Sequence, residues 1–268
     1  MSDEEKVKVK VTGLAGEEIW SAEVPGRESM DSLRQSVATH LDVRLPRVKL
    51  VHGDATLAGP DMLQSLGTEV SAQLVLLDFT EEIRRIQTAL AAANRDVKMT
   101  EGLSDEEIEK LEKRYDFRFP PDLKEFLQVG VPVGGSWHNW HVLALDEVIS
   151  DSVADVLRYE CTPEDEEALE DLGDWAPEGE RTLENAQAMA KAHPLIPIYA
   201  HRCIPTKPYE CGLPVLSMHQ CDDIIVYGEN FWAWVAGSDC NLPDGTVPAE
   251  WMAKKVHFST LPFWQHWL

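Results

Sequence analysis

The period of apolar positions changes several times along this chain, and each change marks an element. Val7, Val9 and Val11 alternate with polar neighbours, and Ile19, Ala22 and Val24 come after them, which predicts two strands. Ser29 precedes Met30, Leu33, Val37 and Leu41 at helical spacing, so a capped helix is expected there. A short strand through Val48, Leu50 and Val51, then a turn, then Leu74-Val75-Leu76-Leu77 complete the order strand, strand, helix, strand, turn, strand. Ile83, Ile86 and Leu90 mark an alanine-rich helix between Thr80 and Thr100, which either connects two halves or packs on the second.

The pattern is sharpest from Leu103 to Gly130. Ser104 and Glu107 form a capping box, with Leu103 and Ile108 placed as a hydrophobic staple, and Ile108, Leu111 and Tyr115 make one apolar stripe. Pro120 and Pro121 suit the first turn of a second helix because a residue there needs no N–H, and Leu123, Phe126 and Leu127 give that helix an apolar face ending at Gly130. Pro197 to Arg202 alternates as a strand, and Ile224-Ile225-Val226-Tyr227 reads as another, bounded by Asp222-Asp223 and Gly228. Asn230 can cap a short helix carrying Phe231, Trp232, Trp234 and Val235. Trp232 and Trp234 lie two apart on it, so one of them is expected to be partly exposed.

Charge narrows the choice of partner. The 268 residues hold 24 Lys and Arg against 47 Asp and Glu, and a net charge of -23 repels nucleic-acid phosphates and anionic lipid alike. Much of it sits in Asp151 to Glu184, where 13 acidic residues face Arg158 and Arg181 alone; this stretch is either a solvated surface or a docking face for a basic partner. No run of about 18 apolar residues occurs, and Met-Ser-Asp-Glu-Glu-Lys is not the start of a signal peptide, so a cytoplasmic or nuclear protein is expected. Five irregularly spaced cysteines then read as reduced thiols.

Residues 101–268 resemble the SUKH superfamily, which includes bacterial toxin-immunity proteins and yeast cell-wall synthesis regulators. The resemblance is carried by the capped acidic helix Ser104 to Tyr115, by Phe119-Pro120-Pro121-Asp122-Leu123 with Gly130-Val131-Pro132-Val133-Gly134 after it, and by the strands at Ile196 to Arg202, Val215 to Gln220 and Asp223 to Gly228. Residues 1–79 are similar in pattern to the ubiquitin-like β-grasp, with Leu14-Ala15-Gly16 in the first hairpin and Leu63 and Leu66 before the last strand. Together these imply an α+β protein: a ubiquitin-like unit over 1–79, a helical linker over 80–100, and a SUKH-type unit over 101–268 with helices on a mostly antiparallel sheet. They also imply protein binding without catalysis or cofactor. The first unit runs into Asp78-Phe79-Thr80 with no Gly-Gly end, so it serves as a built-in module.

The expected contact residues are few. In the first unit the resemblance points to Leu14, Lys49 and Val75 on the sheet, with Lys49 making that face more polar than ubiquitin's. In the second they are Trp137 and Trp140 after a Gly-Gly hinge, His201 in the opposite loop, and Trp232. Two other readings compete. One is a toxin-neutralising, immunity-like protein; the other is a thiol- or metal-dependent enzyme using Cys203, Cys211 or Cys221 near His201, with His138, His141 and Cys240 as further ligands. None of these has the tight Cys pairs of a structural zinc site, and no phosphate loop, nucleophile elbow or His-Glu-x-x-His occurs.

Overall fold

The computed structural model describes residues 6–142, 185, 188, 192–218 and 224–266. The acidic run from Asp151 to Glu184, together with Cys221, His219 and Gln220, lies outside the described residues. The chain divides into two compact units, Met1–Glu81 and Glu82–Leu268.

In the first unit β1 (Lys6–Thr12) pairs antiparallel with β2 (Glu18–Pro25) through a turn closed by Gly16 at φ 87°. Helix α1 (Met30–Leu41) starts where Ser29 accepts from the Ser32 N–H, as its spacing predicts. It buries Leu33 and Val37 and leads to β3 (Val48–His52), β4 (Ala55–Leu57) and β5 (Glu69–Leu76). The sheet order is β2-β1-β5-β3-β4, with β1 and β5 parallel. A parallel pair needs a crossover, which the α1-β3-β4 segment supplies, and this is the β-grasp arrangement. Alternation puts Val7, Val9, Val11, Leu50, Val70 and Ala72 on one face, all at most 2% exposed beneath α1. One correction concerns β4, where the pattern reads only a turn: three residues are too few for alternation to show.

The second unit begins with α2 (Thr80–Ala93), apart from its first two residues. Its Gln87 is buried and donates to the carbonyls of Phe126 (2.8 Å) and Gly130 (2.9 Å), which fastens this helix to the segment around Phe126 and Gly130. After β6 (Lys98–Glu101) comes α3 (Asp105–Tyr115), opened by the capping box: Glu107 N–H donates to Ser104 Oγ, and the Glu107 carboxylate accepts from the Ser104 N–H at 2.8 Å. The Ser104 N–H and the Ser104 hydroxyl, both donating to the Glu107 carboxylate, hold that carboxyl below its usual range. Helix α4 (Pro121–Val129) has Pro121 in its first turn, and β7 (Gly130–Val133) continues from it to pair with β6.

The remaining strands are β8 (Leu195–Tyr199), β9 (Arg202–Pro205), β10 (Val215–Met218) and β11 (Ile224–Gly228), all antiparallel in the order β11-β10-β9-β8. A second correction falls here. The strand expected through Pro197 to Arg202 breaks at Ala200, which adopts φ 45° and turns the chain into the β8-β9 hairpin, placing His201 in the turn. Helix α5 (Phe231–Val235) is capped by Asn230, whose amide also donates to Lys254 O of the segment after α6 (Ala249–Ala253).

Candidate functional site

The chemistry-bearing side chains of the second unit converge where the β9-β10-β11 sheet meets α5. Cross-strand register sets Ser217 opposite both Arg202 and Ile225, so these three share a face. Arg202 Nη1 donates to Ser217 Oγ at 2.6 Å and to His201 Nε2, its Nε donates to Asp239 Oδ2 at 2.9 Å, and the guanidinium carbon lies 3.5 Å from the Tyr227 ring centre. Asp239 also accepts from Trp234 Nε1 (3.0 Å) and the Tyr227 hydroxyl (3.2 Å). Burial alone would raise the Asp239 pKa, but the Trp234, Arg202 and Tyr227 donors and the Arg202 charge outweigh it and hold the carboxyl below its ordinary value. The pair is mostly shielded, with side chains 11% and 15% exposed. One carboxylate thus ties β9, β11 and α5 together.

Of this cluster only His201 was among the expected contact residues. Asp239 stands alone in sequence after Trp-Ala-Trp, and only the fold brings its donors and the Tyr227 ring to it.

The expected tryptophans are core. Trp137 stacks on Phe126 with ring centres 6.1 Å apart and meets Trp234 and Tyr199 edge-on at 5.3 and 5.6 Å. Trp140 packs against Phe119 at 5.2 Å, and Trp232 against Trp251 at 4.7 Å. Trp137, Trp140 and Trp232 retain 8%, 2% and 1% of their surface, so their indoles do not form an outer face. The expectation that Trp232 or Trp234 is partly exposed is wrong, because Phe126 and Trp251 pack on Trp232 while Trp137 and Tyr199 pack on Trp234, and each indole is 1% exposed. His201 is half-buried in its turn.

Two buried polar contacts explain the Pro-Pro-Asp-Leu element. Asp122 is 2% exposed; its Oδ2 accepts from the Gly212 N–H at 3.1 Å, and its Oδ1 from the Leu123 N–H. The motif aspartate therefore joins the start of α4 to the loop between β9 and β10, and Val256 N–H in turn donates to Gly212 O at 2.8 Å. Gly134 comes after the second helix for a geometric reason: it sits at φ 98°, and a Cβ there would come within 2.1 Å of Asp96 O.

The histidines and cysteines are separately engaged. His138 Nε2 donates to Ala200 O at 2.9 Å, and burial pushes its pKa down against the effect of that bond. His141 Nε2 donates to Glu101 O at 3.0 Å, on a different segment. Cys203 and Cys211 are 0% and 5% exposed, and burial together with the Asp239 charge drives the Cys240 thiol up to about 12, which suppresses the thiolate. Among the described residues no group of three or more His, Cys, Asp or Glu is placed to hold a metal ion.

In the first unit Lys49 and Val75 are register partners on the outer face of the sheet, Lys49 exposed and Val75 half-buried, while Leu14 projects from the β1-β2 turn with 73% of its surface exposed.

Residues 102–201 match the SMI1 / KNR4 family (SUKH-1). This segment carries the capping box, the Pro-Pro-Asp-Leu element and the hairpin turn at His201; β9, β10 and β11 come after it in the same unit. Solved structures similar to the chain include a ubiquitin from Caldiarchaeum subterraneum, at 18% identity, covering 27% of this chain and 95% of that one with a TM-score of 0.25. Another is the ubiquitin-like domain of an Arabidopsis thaliana protein, at 22% identity, covering 28% and 82% with a TM-score of 0.25. No curated protein matches the sequence significantly. No helix among the described residues is long and apolar enough to cross a membrane.

Proposed function

We propose that this chain is a non-catalytic protein-binding regulator, an adaptor in which a ubiquitin-like unit over residues 1–79 is joined through 80–100 to a SUKH-type unit over 101–268, working in the cytoplasm or nucleus. The observation that carries the reading is the SUKH-1 match over residues 102–201, since domains of that family generally act as immunity or regulatory proteins. Residues 82–268 hold 33 acidic against 16 basic residues, which favours a basic partner. In the first unit Leu14, Lys49 and Val75 are the contact residues; in the second His201 is, with Trp137, Trp140 and Trp232 holding the surface from beneath. Toxin neutralisation is the same reading with a basic toxin as the partner, and the family match accommodates it.

The test is affinity capture on the immobilised full chain at about 0.1 M and about 1 M salt, between which the screening length falls from about 10 to about 3 Å. A protein held at low salt and released at high salt is the expected result. Failure to retain any protein at either salt, a stoichiometric bound metal, or a single hyper-reactive thiol would count against the adaptor and for an enzyme.

A further inference from the structure

Of the 16 glycines in the chain, only Gly245 follows an Asp or an Asn. The pair Asp244-Gly245 matters chemically because an Asp carboxyl and the amide nitrogen after it can close a five-membered ring, and glycine puts no side chain beside the attacking nitrogen. Ring closure then depends on how firmly the fold holds the two groups.

Here the fold leaves both unheld. Asp244 and Gly245 are exposed in a turn of the segment that leads from Asp239 and Cys240 to α6. The turn is closed around them by Thr246, whose N–H and hydroxyl donate to Pro243 O at 3.1 and 2.6 Å. Gly245 takes φ 77°, and no atom lies within 4 Å of where a Cβ would stand. Among the described residues neither the Asp244 carboxylate nor the Gly245 N–H makes a hydrogen bond or an ion pair. At Asp31-Ser32, where a small residue also follows an Asp, both groups are held. Arg34 Nη1 donates to Asp31 Oδ1 at 3.1 Å, and the Ser32 N–H donates to Ser29 Oγ at 3.1 Å at the start of α1.

We propose that Asp244-Gly245 is a site of backbone isomerisation, whose isoaspartyl product is a substrate for a protein carboxyl methyltransferase that uses S-adenosylmethionine. The Gly245 nitrogen attacks Asp244 Cγ: the N–Cγ bond forms, the Cγ–OH bond breaks, and water leaves with the amide proton to give a succinimide. Water then opens the ring. Breaking the bond from the nitrogen to the Asp244 main-chain carbonyl carbon leaves the chain running through the side chain, with a free α-carboxylate; breaking the N–Cγ bond restores Asp. The methyl group passes from the sulfonium to that α-carboxylate, giving an ester and S-adenosylhomocysteine. The isoaspartyl form keeps the charge of Asp and adds one methylene to a turn set between Asp239, paired with Arg202, and the buried Val247. This chemistry is independent of the protein-binding reading.

Ageing the full chain at neutral pH and body temperature tests it. Isoaspartate is read by enzymatic transfer of labelled methyl groups from S-adenosylmethionine, and placed in the digested chain by electron-transfer fragmentation, which cleaves the isoaspartyl Cα–Cβ bond. Methyl uptake should rise with age and the isoaspartate should lie at position 244, with none at position 31. Asp244→Glu, which would have to close a six-membered ring, should take up at least tenfold less methyl while keeping the wild-type melting temperature. Gly245→Ala, which shields the nitrogen, should take up at least threefold less. No methyl uptake on ageing, isoaspartate gathered at other positions, or equal uptake by Asp244→Glu would overturn the proposal.

Discussion

The first unit closes its sheet with Glu18, Glu23 and Pro25 along one outer strand and a three-residue strand on the other side, whereas the second unit leaves Ile225-Val226-Tyr227 exposed along β11 and pins Tyr227 from behind with Arg202 and Asp239. Both sheets face the same hazard of edge-to-edge pairing. The first meets it with charge and shortness; the second keeps its strand apolar and uses a largely shielded ion pair to hold it still. A buried ion pair is poor evidence of stability gained, because desolvation opposes the attraction, but it fixes geometry well. The two sheets thus hold their outer strands by different means: charge and shortness in one, a shielded ion pair beside the strand in the other.

The largest expected effect is on that pin. Asp239→Ala removes the acceptor of three donors and leaves Arg202 shielded without its carboxylate, and should cost about 3 kcal/mol in urea unfolding. A loss under about 1 kcal/mol would show that β11 is positioned by packing alone. Next comes Gly228→Ala, whose new Cβ would lie 2.5 Å from the Trp234 Cβ and should cost about 1–3 kcal/mol while shifting the end of β11. Ser104→Ala in the capping box, outside the Arg202–Asp239 cluster, should cost about 1 kcal/mol. Tyr227→Phe loses one hydroxyl bond to Asp239 and should cost about 1 kcal/mol or less.

Acid separates the two regions further. The Asp239 pKa is lowered in the folded state, so its contribution is fully present above the unfolded carboxyl value of about 3.9 and is lost as pH falls through the lower folded value. Wild type should therefore lose more stability than Asp239→Asn on acidification below about pH 4, read from urea midpoints across pH. Parallel curves would show that the Asp239 charge does not hold β11.

Local chemistry was legible in the sequence and distant convergence was not. The Ser104 and Glu107 box, the Ser29 and Asn230 caps, and the α1 and α3 apolar stripes depend on residues within a few positions of one another, and all form as read. The β-grasp order was readable because Val7, Val9 and Val11 alternate cleanly above a buried face. The β8-β9 hairpin was missed because Ala200-His201 lacks the Asn-Gly or Gly pair that announces a tight turn. The tryptophans were misplaced because spacing two apart implies opposite sides of a helix but not that both sides are covered. Within the Arg202, Ser217, Tyr227, Trp234 and Asp239 cluster the ion pair joins residues 37 apart, and Asp122 reaches Gly212 across 90; no local pattern encodes either.

Amide hydrogen exchange on the full chain tests the role of the Arg202–Asp239 pair most directly. In Asp239→Asn, exchange at Ile225, Val226 and Tyr227 should quicken at least tenfold while β2 and β4 of the first unit keep their wild-type rates. Unchanged exchange along β11 would mean that the pair does not hold the strand.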